Sequence, residues 1–195
     1  TLDLRTGALL EHSPDHHLRY ALDIDWDPEA ACPIYDAQLR STLQGDERAM
    51  RTFDEFAGLS LVQGQQFQKA LYLVGEGGSG KSTLLRVIQM MHDPAAVSVS
   101  PLDKLDDERY RTDIAGKLLN ISPDVQTRER VFGETFVRIT GGDSVTVRRL
   151  YQEIEPVVQP TVRFVGSMNP DMPPYRGAPD ALRGRLVVRP CGGRI

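Results

Sequence analysis

A run of eight residues, 75–82, has the types and spacing needed to hold phosphate. It reads Gly-Glu-Gly-Gly-Ser-Gly-Lys-Ser and satisfies the pattern GxxxxGK[ST]. Glycines let the backbone curl around an anion so that successive N–H groups point at phosphate oxygens, and a following helix adds the positive end of its dipole. In this pattern Lys81 reaches the β- and γ-phosphates, and the Ser82 hydroxyl binds Mg²⁺. The residues predicted to contact ATP are Gly75, Glu76, Gly77, Gly78, Ser79, Gly80, Lys81, Ser82 and Thr83.

The residues on either side of this run favour a P-loop. Residues 70–74 form a short apolar run suited to a buried parallel strand, and a helical pattern follows with Leu84, Leu85, Ile88 and Met91 on adjoining parts of one face. Strand, glycine-rich loop and helix is the context that the motif requires. The alternative is a glycine-rich turn that happens to contain Lys-Ser. A P-loop alone identifies neither the nucleotide nor the acceptor of the phosphate.

Two polar residues follow other strand-like runs and are candidates for chemistry at the γ-phosphate. Residues 118–122 read as a strand with Asp124 just beyond it, and residues 161–167 read as a strand that leads to Asn169. Sheets of this kind bind ligands at the carboxyl ends of their strands. Asp124 is therefore predicted to serve the metal and the attacking water, and Asn169 to hydrogen-bond that water or the γ-phosphate. The alternative for Asp124 is a turn residue after Pro123.

The elements that must position these residues follow from the pattern along the chain. From residue 67 onward, strand-like and helix-like stretches alternate, which is typical of a parallel sheet with helices on its faces. We therefore predict an α/β core over residues 67–195. Residues 34–66 are predicted to form a small helical region in which Asp46 caps a helix that Gly58 ends. Residues 1–33 are predicted to be a lead-in that opens with a hairpin.

Composition indicates a folded, soluble protein. The 195 residues are 40% apolar and 26% charged, which fits one large or two small domains. Charged side chains interrupt every apolar stretch before the roughly 18 to 20 residues that cross a membrane. Cys32 and Cys191 have no CxxC spacing, which disfavours a zinc site and a disulfide framework, so we expect a cytoplasmic protein. Since the chain lacks an initiator Met and stops just after an apolar segment, we expect a piece of a longer product.

Charge is unevenly distributed along the chain. The net charge of −4 argues against binding nucleic acid with the whole surface. Residues 1–58 carry 12 acids and 5 bases, whereas residues 128–195 carry 11 arginines and 7 acids. A basic patch can therefore exist in the second half. The alternative is an ordinary solvated surface.

With these elements in order, the chain resembles the C-terminal ATPase of phage and plasmid primase-helicases, the superfamily 3 helicases related to the poxvirus primase-helicase. Four segments carry the resemblance: residues 75–82 match Walker A, 118–124 match Walker B, Thr140-Gly141-Gly142-Asp143 matches a family-specific motif, and residues 167–170 match the sensor Asn motif. Residues 2–7 and 27–33 also look like the segment that links the primase side to the helicase. The likeness covers almost the whole chain.

The resemblance implies an AAA+-like P-loop fold that binds ATP with Mg²⁺. Lys81 and Ser82 would bind ATP-Mg²⁺, Asp124 would serve the metal and the water, and Asn169 would sense the γ-phosphate. The family also supplies an arginine finger from a neighbouring subunit, usually within an Arg-Arg pair before the last strand. Here Arg183-Gly184-Arg185 stands in its place. Arg185 is the predicted finger, with Arg183 as its alternative and an ordinary surface arginine as the other interpretation.

The resemblance further implies partners. In these helicases a hairpin between the third and fourth motifs grips DNA in the channel of a ring, which we expect to be a hexamer. Arg148 and Arg149 lie at the start of the corresponding segment, followed by Tyr151. A basic pair beside an aromatic side chain suits phosphate contact and base stacking on single-stranded DNA. The alternative is a strand surface with solvated charges. An upstream primase domain or protein is the other expected partner.

Two other functions stay open at this point. A P-loop kinase for a small metabolite would need a lid with paired arginines soon after the P-loop helix, but the stretch after Met91 offers His92-Asp93-Pro94 instead. The other alternative is a truncated prophage remnant that binds nucleotide without assembling a ring. The sequence favours an ATP-dependent DNA helicase motor over both.

Overall fold

The computed structural model describes residues 1–123, 125, 133–148, 156–170 and 180–192. The α-helices found in these ranges are α1 (Pro33–Thr42), α2 (Glu47–Ser60), α3 (Lys81–Met90), α4 (Glu108–Ile114), α5 (Glu134–Gly141) and α6 (Asp180–Arg183). The strands are β1 (Ala70–Val74), β2 (Val97–Ser98), β3 (Leu119–Ser122), β4 (Val145–Thr146), β5 (Val157–Val158), β6 (Arg163–Met168) and β7 (Leu186–Pro190). Short 3-10 turns span Pro14–His16, Pro94–Ala96 and Leu102–Lys104.

The described strands form one large parallel sheet and one small hairpin. Five strands pair in the order β2-β3-β6-β1-β7, and every pairing in this sheet is parallel. Strand β1 lies between β6 and β7, with Leu71 opposite Val165 on one side and Val187 on the other. The carboxyl ends of all five strands therefore lie at one edge, which we call the carboxyl edge; the opposite one is the amino edge. The predicted α/β fold with a parallel P-loop sheet is confirmed.

Both faces of the sheet are covered by helices. Side chains of a strand alternate between its two faces. Leu71 and Leu73 of β1 accordingly enter the core formed with α1, α2 and α3, whereas Ala70 and Tyr72 enter the core formed with α4 and α5. All four residues are fully buried. Burial on both faces favours apolar side chains at every position, which explains the uninterrupted run that precedes the glycine-rich loop.

The lead-in opens with the predicted turn. Leu2 and Leu9 form an antiparallel bridge, and the Gly7 N–H donates to the Asp3 carbonyl at 2.8 Å. Gly7 has a φ of 72°, a left-handed conformation that glycine adopts without strain. Further along, the Tyr20 hydroxyl donates to the Gly116 carbonyl at 2.6 Å, so the lead-in also contacts the α/β core.

Helix α2 begins where the sequence predicted but ends later. The Asp46 carboxylate accepts the backbone N–H groups of the second and third helical residues at 2.9 and 3.0 Å, which confirms the predicted cap. The predicted end at Gly58 is wrong, because the helix continues to Ser60. The helix continues past Gly58 because its buried face does. Ala57 and Ser60 are both buried, and the Ser60 hydroxyl donates to the Ala57 carbonyl at 2.6 Å.

Helices α1 and α2 pack directly on the core of the sheet. Phe53 of α2 is fully buried and belongs to the same apolar cluster as Leu84 and Ile88 of α3. Residues 34–66 therefore share a core with residues 67–195, and the boundaries between these regions stay a prediction. In the part of the chain that the structure describes, no helix is long and apolar enough to cross a membrane.

A buried arginine fixes the connection between α2 and β1. Arg163, the first residue of β6, is 0% exposed. Its Nη1 and Nη2 donate to the side-chain oxygens of Gln65 and Gln66 at 3.2 and 3.1 Å, and burial lowers the pKa of its guanidinium. Neutral amide oxygens thus hold this charge, since it has no ion pair with a residue in the described ranges. The loop that enters β1 is anchored to the amino edge by these bonds.

Candidate functional site

The glycine-rich loop joins β1 to α3 at the carboxyl edge. Gly78 and Gly80 have φ values of 80° and 83°, so both need the left-handed conformation that glycine tolerates. Gly80 is the N-cap of α3, and its carbonyl accepts the Leu84 N–H at 3.1 Å. The loop therefore runs directly into the first turn of a ten-residue helix, whose free N–H groups and dipole favour an anion at this position.

The predicted lysine lies inside the loop. Lys81 is 8% exposed, and its Nζ donates to the Gly75 and Glu76 carbonyls at 2.6 and 2.7 Å and to the Ser79 hydroxyl at 3.2 Å. These acceptors hold the ammonium group at the centre of the loop. A fixed positive charge beside a glycine-rich loop is the arrangement that attracts phosphate.

Other predicted contact residues line the open side of the loop. Glu76, Gly77 and Gly78 are exposed, and so are Ser82 and Thr83 at the start of α3. An approaching ligand can therefore reach the loop backbone and the Ser82 hydroxyl without displacing other residues. A triphosphate fits these groups, because the loop amides and Lys81 can bind its oxygens and the Ser82 hydroxyl can bind its metal ion.

The chain that leaves β7 forms the back of the loop. The Cys191 N–H donates to the Val74 carbonyl at 2.6 Å. A Cβ atom on Gly75 would collide with the Cys191 carbonyl oxygen and lie 3.0 Å from the Ser79 hydroxyl oxygen and 3.1 Å from the Cys191 Cβ, so only glycine fits there. Burial raises the pKa of the Cys191 thiol to about 11, while the charge of Lys81 acts in the opposite direction.

The predicted sensor asparagine lies beside the loop. Strand β6 ends at Met168, whose carbonyl accepts the Gly75 N–H at 3.2 Å, and the exposed Asn169 follows directly. The structure thus brings Asn169 to the same edge as Lys81. Asp124 lies outside the described residues. Its neighbour Val125 donates its N–H to the Ser167 carbonyl at 2.8 Å, next to the end of β6.

The two predicted finger residues lie at the opposite edge. Arg185 precedes β7, and its carbonyl accepts the N–H of Ala70, the first residue of β1. The P-loop follows the other end of β1, and a five-residue strand spans roughly 16 Å. Lys81 and Arg185 of one chain are therefore not brought together. Arg183, the last residue of α6, is exposed, whereas Arg185 is half-buried.

The Thr140-Gly141-Gly142-Asp143 motif also lies at the amino edge. It forms the end of α5, where Gly142 has a φ of 89° and the Asp143 N–H donates to the Arg138 carbonyl at 3.0 Å. The Gln68 side chain, just before β1, donates to the Gly141 carbonyl at 3.4 Å. The motif thus lies away from the P-loop of its own chain and close to the segment that holds Arg185.

A hairpin follows this motif. Strands β4 and β5 pair antiparallel, with Val145 opposite Val158. The exposed Arg148 lies just after β4, where its N–H donates to the Glu108 carbonyl at 3.2 Å. The predicted DNA contacts are thus described in part, because Arg149 and Tyr151 lie outside the described residues.

One residue with a structural role was missed by sequence reasoning. Asn120 interrupts the apolar run of β3 and is fully buried. Its Oδ1 accepts the Ser98 hydroxyl at 2.8 Å and the Ser100 N–H at 2.9 Å, and its Nδ2 donates to the Ser100 carbonyl at 3.1 Å. Asn120 therefore fastens β2 and the chain after it to β3. The signal in the sequence was an amide side chain between the two apolar residues Leu119 and Ile121.

Two family models match the chain. The model described as Family of unknown function (DUF5906) matches residues 73–184, which include the P-loop and both edges of the sheet. The model described as D5 N terminal like matches residues 1–44, which comprise the lead-in and α1.

Solved structures share the fold over most of the chain. The A form apo structure of the NrS-1 C terminal region matches with a TM-score of 0.64 at 16% identity, and a second apo structure of that region matches with a TM-score of 0.63 at 17% identity. Each match covers 84% of this chain and 39% of the other, so the chain spans about two fifths of their length. The JCV helicase matches at 16% identity over 83% of this chain and 46% of its own, with a TM-score of 0.47 that carries no functional argument.

Proposed function

The chain belongs to the family of unknown function DUF5906, and on that premise we propose that it is the ATP-driven motor of a phage- or plasmid-type primase-helicase, a superfamily 3 helicase in a bacterial cytoplasm. The resemblance to a phage primase-helicase C-terminal domain is confirmed, because residues 1–44 match the D5 N terminal like model directly ahead of the α/β core, whereas membership of superfamily 3 is part of the proposal. The single observation that carries the proposal is the geometry of the carboxyl edge, where the buried Lys81 ammonium lies beside the strand end that bears Asn169.

ATP would bind with its phosphates in the loop. Lys81 neutralises the β- and γ-phosphates, the loop amides donate to phosphate oxygens, and the dipole of α3 adds to the attraction. Ser82 and Asp124 would hold Mg²⁺, which would supply positive charge to the phosphates. Asn169 orients the attacking water in line with the γ-phosphate. Phosphoryl transfer depends on positioning and charge stabilisation far more than on covalent chemistry, so these few side chains suffice on the P-loop side.

A neighbouring subunit would complete the site. The Arg183-Gly184-Arg185 segment lies roughly a strand length from the P-loop of its own chain, so an arginine from it can reach a nucleotide across a subunit boundary but not within one chain. This arrangement suits a closed ring, in which each subunit offers its P-loop to one neighbour and its arginine to the other. We propose a hexamer, with ATP bound at each interface.

Single-stranded DNA would pass through the ring. The β4–β5 hairpin follows α5, and the exposed Arg148 beside it, with Arg149, would contact the DNA backbone. Hydrolysis would release the trans arginine and shift the hairpin, moving the strand. The region matched by the D5 N terminal like model would connect the motor to the upstream primase.

The test is phosphate release from ATP with and without single-stranded DNA. We expect DNA-stimulated hydrolysis by the unchanged chain, and a loss of at least about a hundredfold in kcat for Lys81→Ala, because the buried ammonium is the main positive charge at the γ-phosphate. Lys104→Ala is the matched control, since that lysine is 54% exposed and its ion pair is with Asp103 rather than with a P-loop residue. Wild-type ATPase activity in Lys81→Ala would contradict the proposed ATP-driven motor.

The same assay separates the other two functions. Transfer of the γ-phosphate to a small acceptor, with no response to DNA, would identify a kinase. A monomer that binds an ATP analogue but neither assembles on DNA nor hydrolyses ATP would identify a remnant. Gel filtration with an ATP analogue and a single-stranded oligonucleotide provides the second readout.

A further inference from the structure

We propose that the two arginines of the Arg183-Gly184-Arg185 segment have different roles. Arg185 is a positioning residue, held in its own subunit against Gly141 of the Thr140–Asp143 motif. Arg183 is the residue that reaches the nucleotide of the neighbouring subunit. This inference rests on the proposed function and reverses the order of preference that the sequence alone suggests.

Arg185 is engaged by its own chain through one guanidinium nitrogen and through both of its backbone groups. Its Nη1 donates to the Ala181 carbonyl at 2.7 Å, so the side chain turns back onto α6. Its backbone N–H donates to the Leu182 carbonyl at 2.9 Å, and its carbonyl accepts the Ala70 N–H at 2.9 Å. The Nε atom is buried and has no hydrogen-bond partner within the described residues. A side chain held in this way has to break its own contacts before it can reach another subunit.

The glycine motif provides the surface on which this guanidinium rests. A Cβ atom on Gly141 would lie 3.2 Å from Arg185 Nη2 and 4.0 Å from the Asp143 Oδ2. The guanidinium therefore lies over the bare backbone at the last residue of α5, where the negative end of the helix dipole favours a cation. The two glycines thus meet different needs: Gly142 has the left-handed φ that ends the helix, and Gly141 leaves room for Arg185.

Arg183 has the opposite surroundings. Its side chain is exposed and makes no hydrogen bond or ion pair with a residue in the described ranges. The backbone that carries Arg183 is nevertheless fixed, because Leu182 is 4% exposed and packs in the same cluster as Phe136 and Ile139 of α5. The Lys69 ammonium also donates to the Gly184 carbonyl on the other side. A free guanidinium on a fixed backbone is suited to bind a phosphate on another molecule.

Through these contacts Arg185 supports the turn that carries Arg183. The bond from Arg185 to Ala181 closes α6 back on itself, and the contact with Gly141 ties that closed turn to α5. Loss of the Arg185 side chain would release the turn that carries Arg183 without removing a group that touches ATP. Misplacing a catalytic group by about 1 Å costs on the order of a hundredfold in rate.

The experiment measures kcat and KM for ATP, with single-stranded DNA, on the full chain, four single variants and one double variant. We expect Arg183→Ala to lower kcat about a thousandfold with unchanged Tm and unchanged binding of an ATP analogue, which is the effect of losing a trans arginine. We expect Arg185→Ala to lower kcat about 10- to 100-fold and also to lower Tm. Gly141→Ala should lower kcat by about two- to fivefold, because a Cβ atom 3.2 Å from Nη2 shifts the guanidinium slightly, although alanine favours a helix.

The matched control is Gly58→Ala. Gly58 also lies in a helix, but a Cβ there would have no neighbour within 4 Å. We expect it to keep Tm or raise it, as Gly141→Ala should, while its kcat stays at the wild-type value. In the Arg185→Ala background, Gly141→Ala should have no further effect on kcat, because the guanidinium that it displaces is gone. If the two substitutions instead lowered kcat independently, the contact between Arg185 and Gly141 would be refuted.

Subunit mixing tests the trans assignment. Lys81→Ala chains keep Arg183 and lack a working P-loop, whereas Arg183→Ala chains have the reverse defect. A mixture of the two should regain activity that neither has alone. No recovery would overturn the trans role of Arg183. Wild-type kcat in Arg183→Ala, with a thousandfold loss and unchanged Tm in Arg185→Ala, would overturn the proposal while leaving the helicase assignment intact. An unchanged chain that shows no DNA-stimulated hydrolysis would instead count against the proposed function itself.

Discussion

Replacing Gly75 with alanine tests whether the chain after β7 shapes the nucleotide loop. The added methyl carbon would collide with the Cys191 carbonyl oxygen and lie 3.1 Å from the Cys191 Cβ. Two carbon atoms normally pack at about 3.5 to 4.0 Å, so the loop and the chain behind it must separate by roughly half an ångström or more. The oxygen is a backbone atom and the Cβ is attached directly to the backbone, and the Cys191 N–H is bonded to the Val74 carbonyl, so neither atom can move alone.

The expected cost follows from that overlap. Overpacking of this kind destabilises a protein by about 1–3 kcal/mol. In a domain of this size each kcal/mol lowers Tm by about 2–4 °C. We therefore expect Gly75→Ala to lose roughly 2 to 12 °C in Tm without nucleotide. The affinity for an ATP analogue should also fall, because the Gly75 carbonyl is one of the acceptors that hold the Lys81 ammonium.

Gly77→Ala is the control for this experiment. A Cβ atom there would meet no protein atom within 4 Å, so its Tm without nucleotide should match the wild type, and any lost affinity would come from the ligand side of the loop. Thermal unfolding and titration with a fluorescent ATP analogue measure both quantities. Wild-type Tm and affinity in Gly75→Ala would refute the reasoning, since the Cys191 backbone would then not constrain the loop.

Three further predictions concern the free energy of unfolding, measured in urea. Burial raises the pKa of the Cys191 thiol to about 11 from 9.0, so the neutral thiol stabilises the fold fully below about pH 9 and loses that contribution as pH rises through 11. The free energy of unfolding should therefore fall more steeply between pH 9 and 11 than it does in Cys191→Ala. Alkylation at pH 8 should label the exposed Cys32 before the buried Cys191. Asp46→Ala should cost about 0.5–2 kcal/mol, because α2 loses its cap; an unchanged value would show that the two N–H groups bond equally well to water. Asn120→Leu should cost about 1–3 kcal/mol, because the buried Ser100 N–H loses its acceptor, whereas a neutral result would indicate that the leucine repacks the site.

Local patterns predicted the elements around the P-loop. The apolar run of β1, the glycines after it and the periodicity of α3 are contiguous, so each could be identified from its own residues. The cap at Asp46 was confirmed for the same reason. The end of α2 at Gly58 was predicted wrongly, because the propensity of one glycine is worth about 1 kcal/mol, and the buried face that continues to Ser60 outweighs it.

Contacts between distant parts of the chain could not be read from the sequence. Cys191 lies behind the P-loop because β7 pairs beside β1, and its own neighbours in the sequence gave no sign of that role. The resemblance suggested Arg185 as the finger from its position before the last strand. Whether its side chain points outward depends on Ala181 and Gly141, and the latter lies 44 residues earlier in the numbering.

The position of β1 in the sheet also bears on how the protein is made. Its two neighbours, β6 and β7, are the last strands of the sheet in the sequence, so β1 has no partner when it leaves the ribosome. Some 93 residues separate Ala70 from Arg163, the first residue of β6, and at about 5–20 residues per second their synthesis takes roughly 5 to 19 s. During that interval an apolar strand waits unpaired, which is when a nascent chain is most prone to aggregate or to need a chaperone. The phosphate loop is thus complete only once translation has passed Cys191.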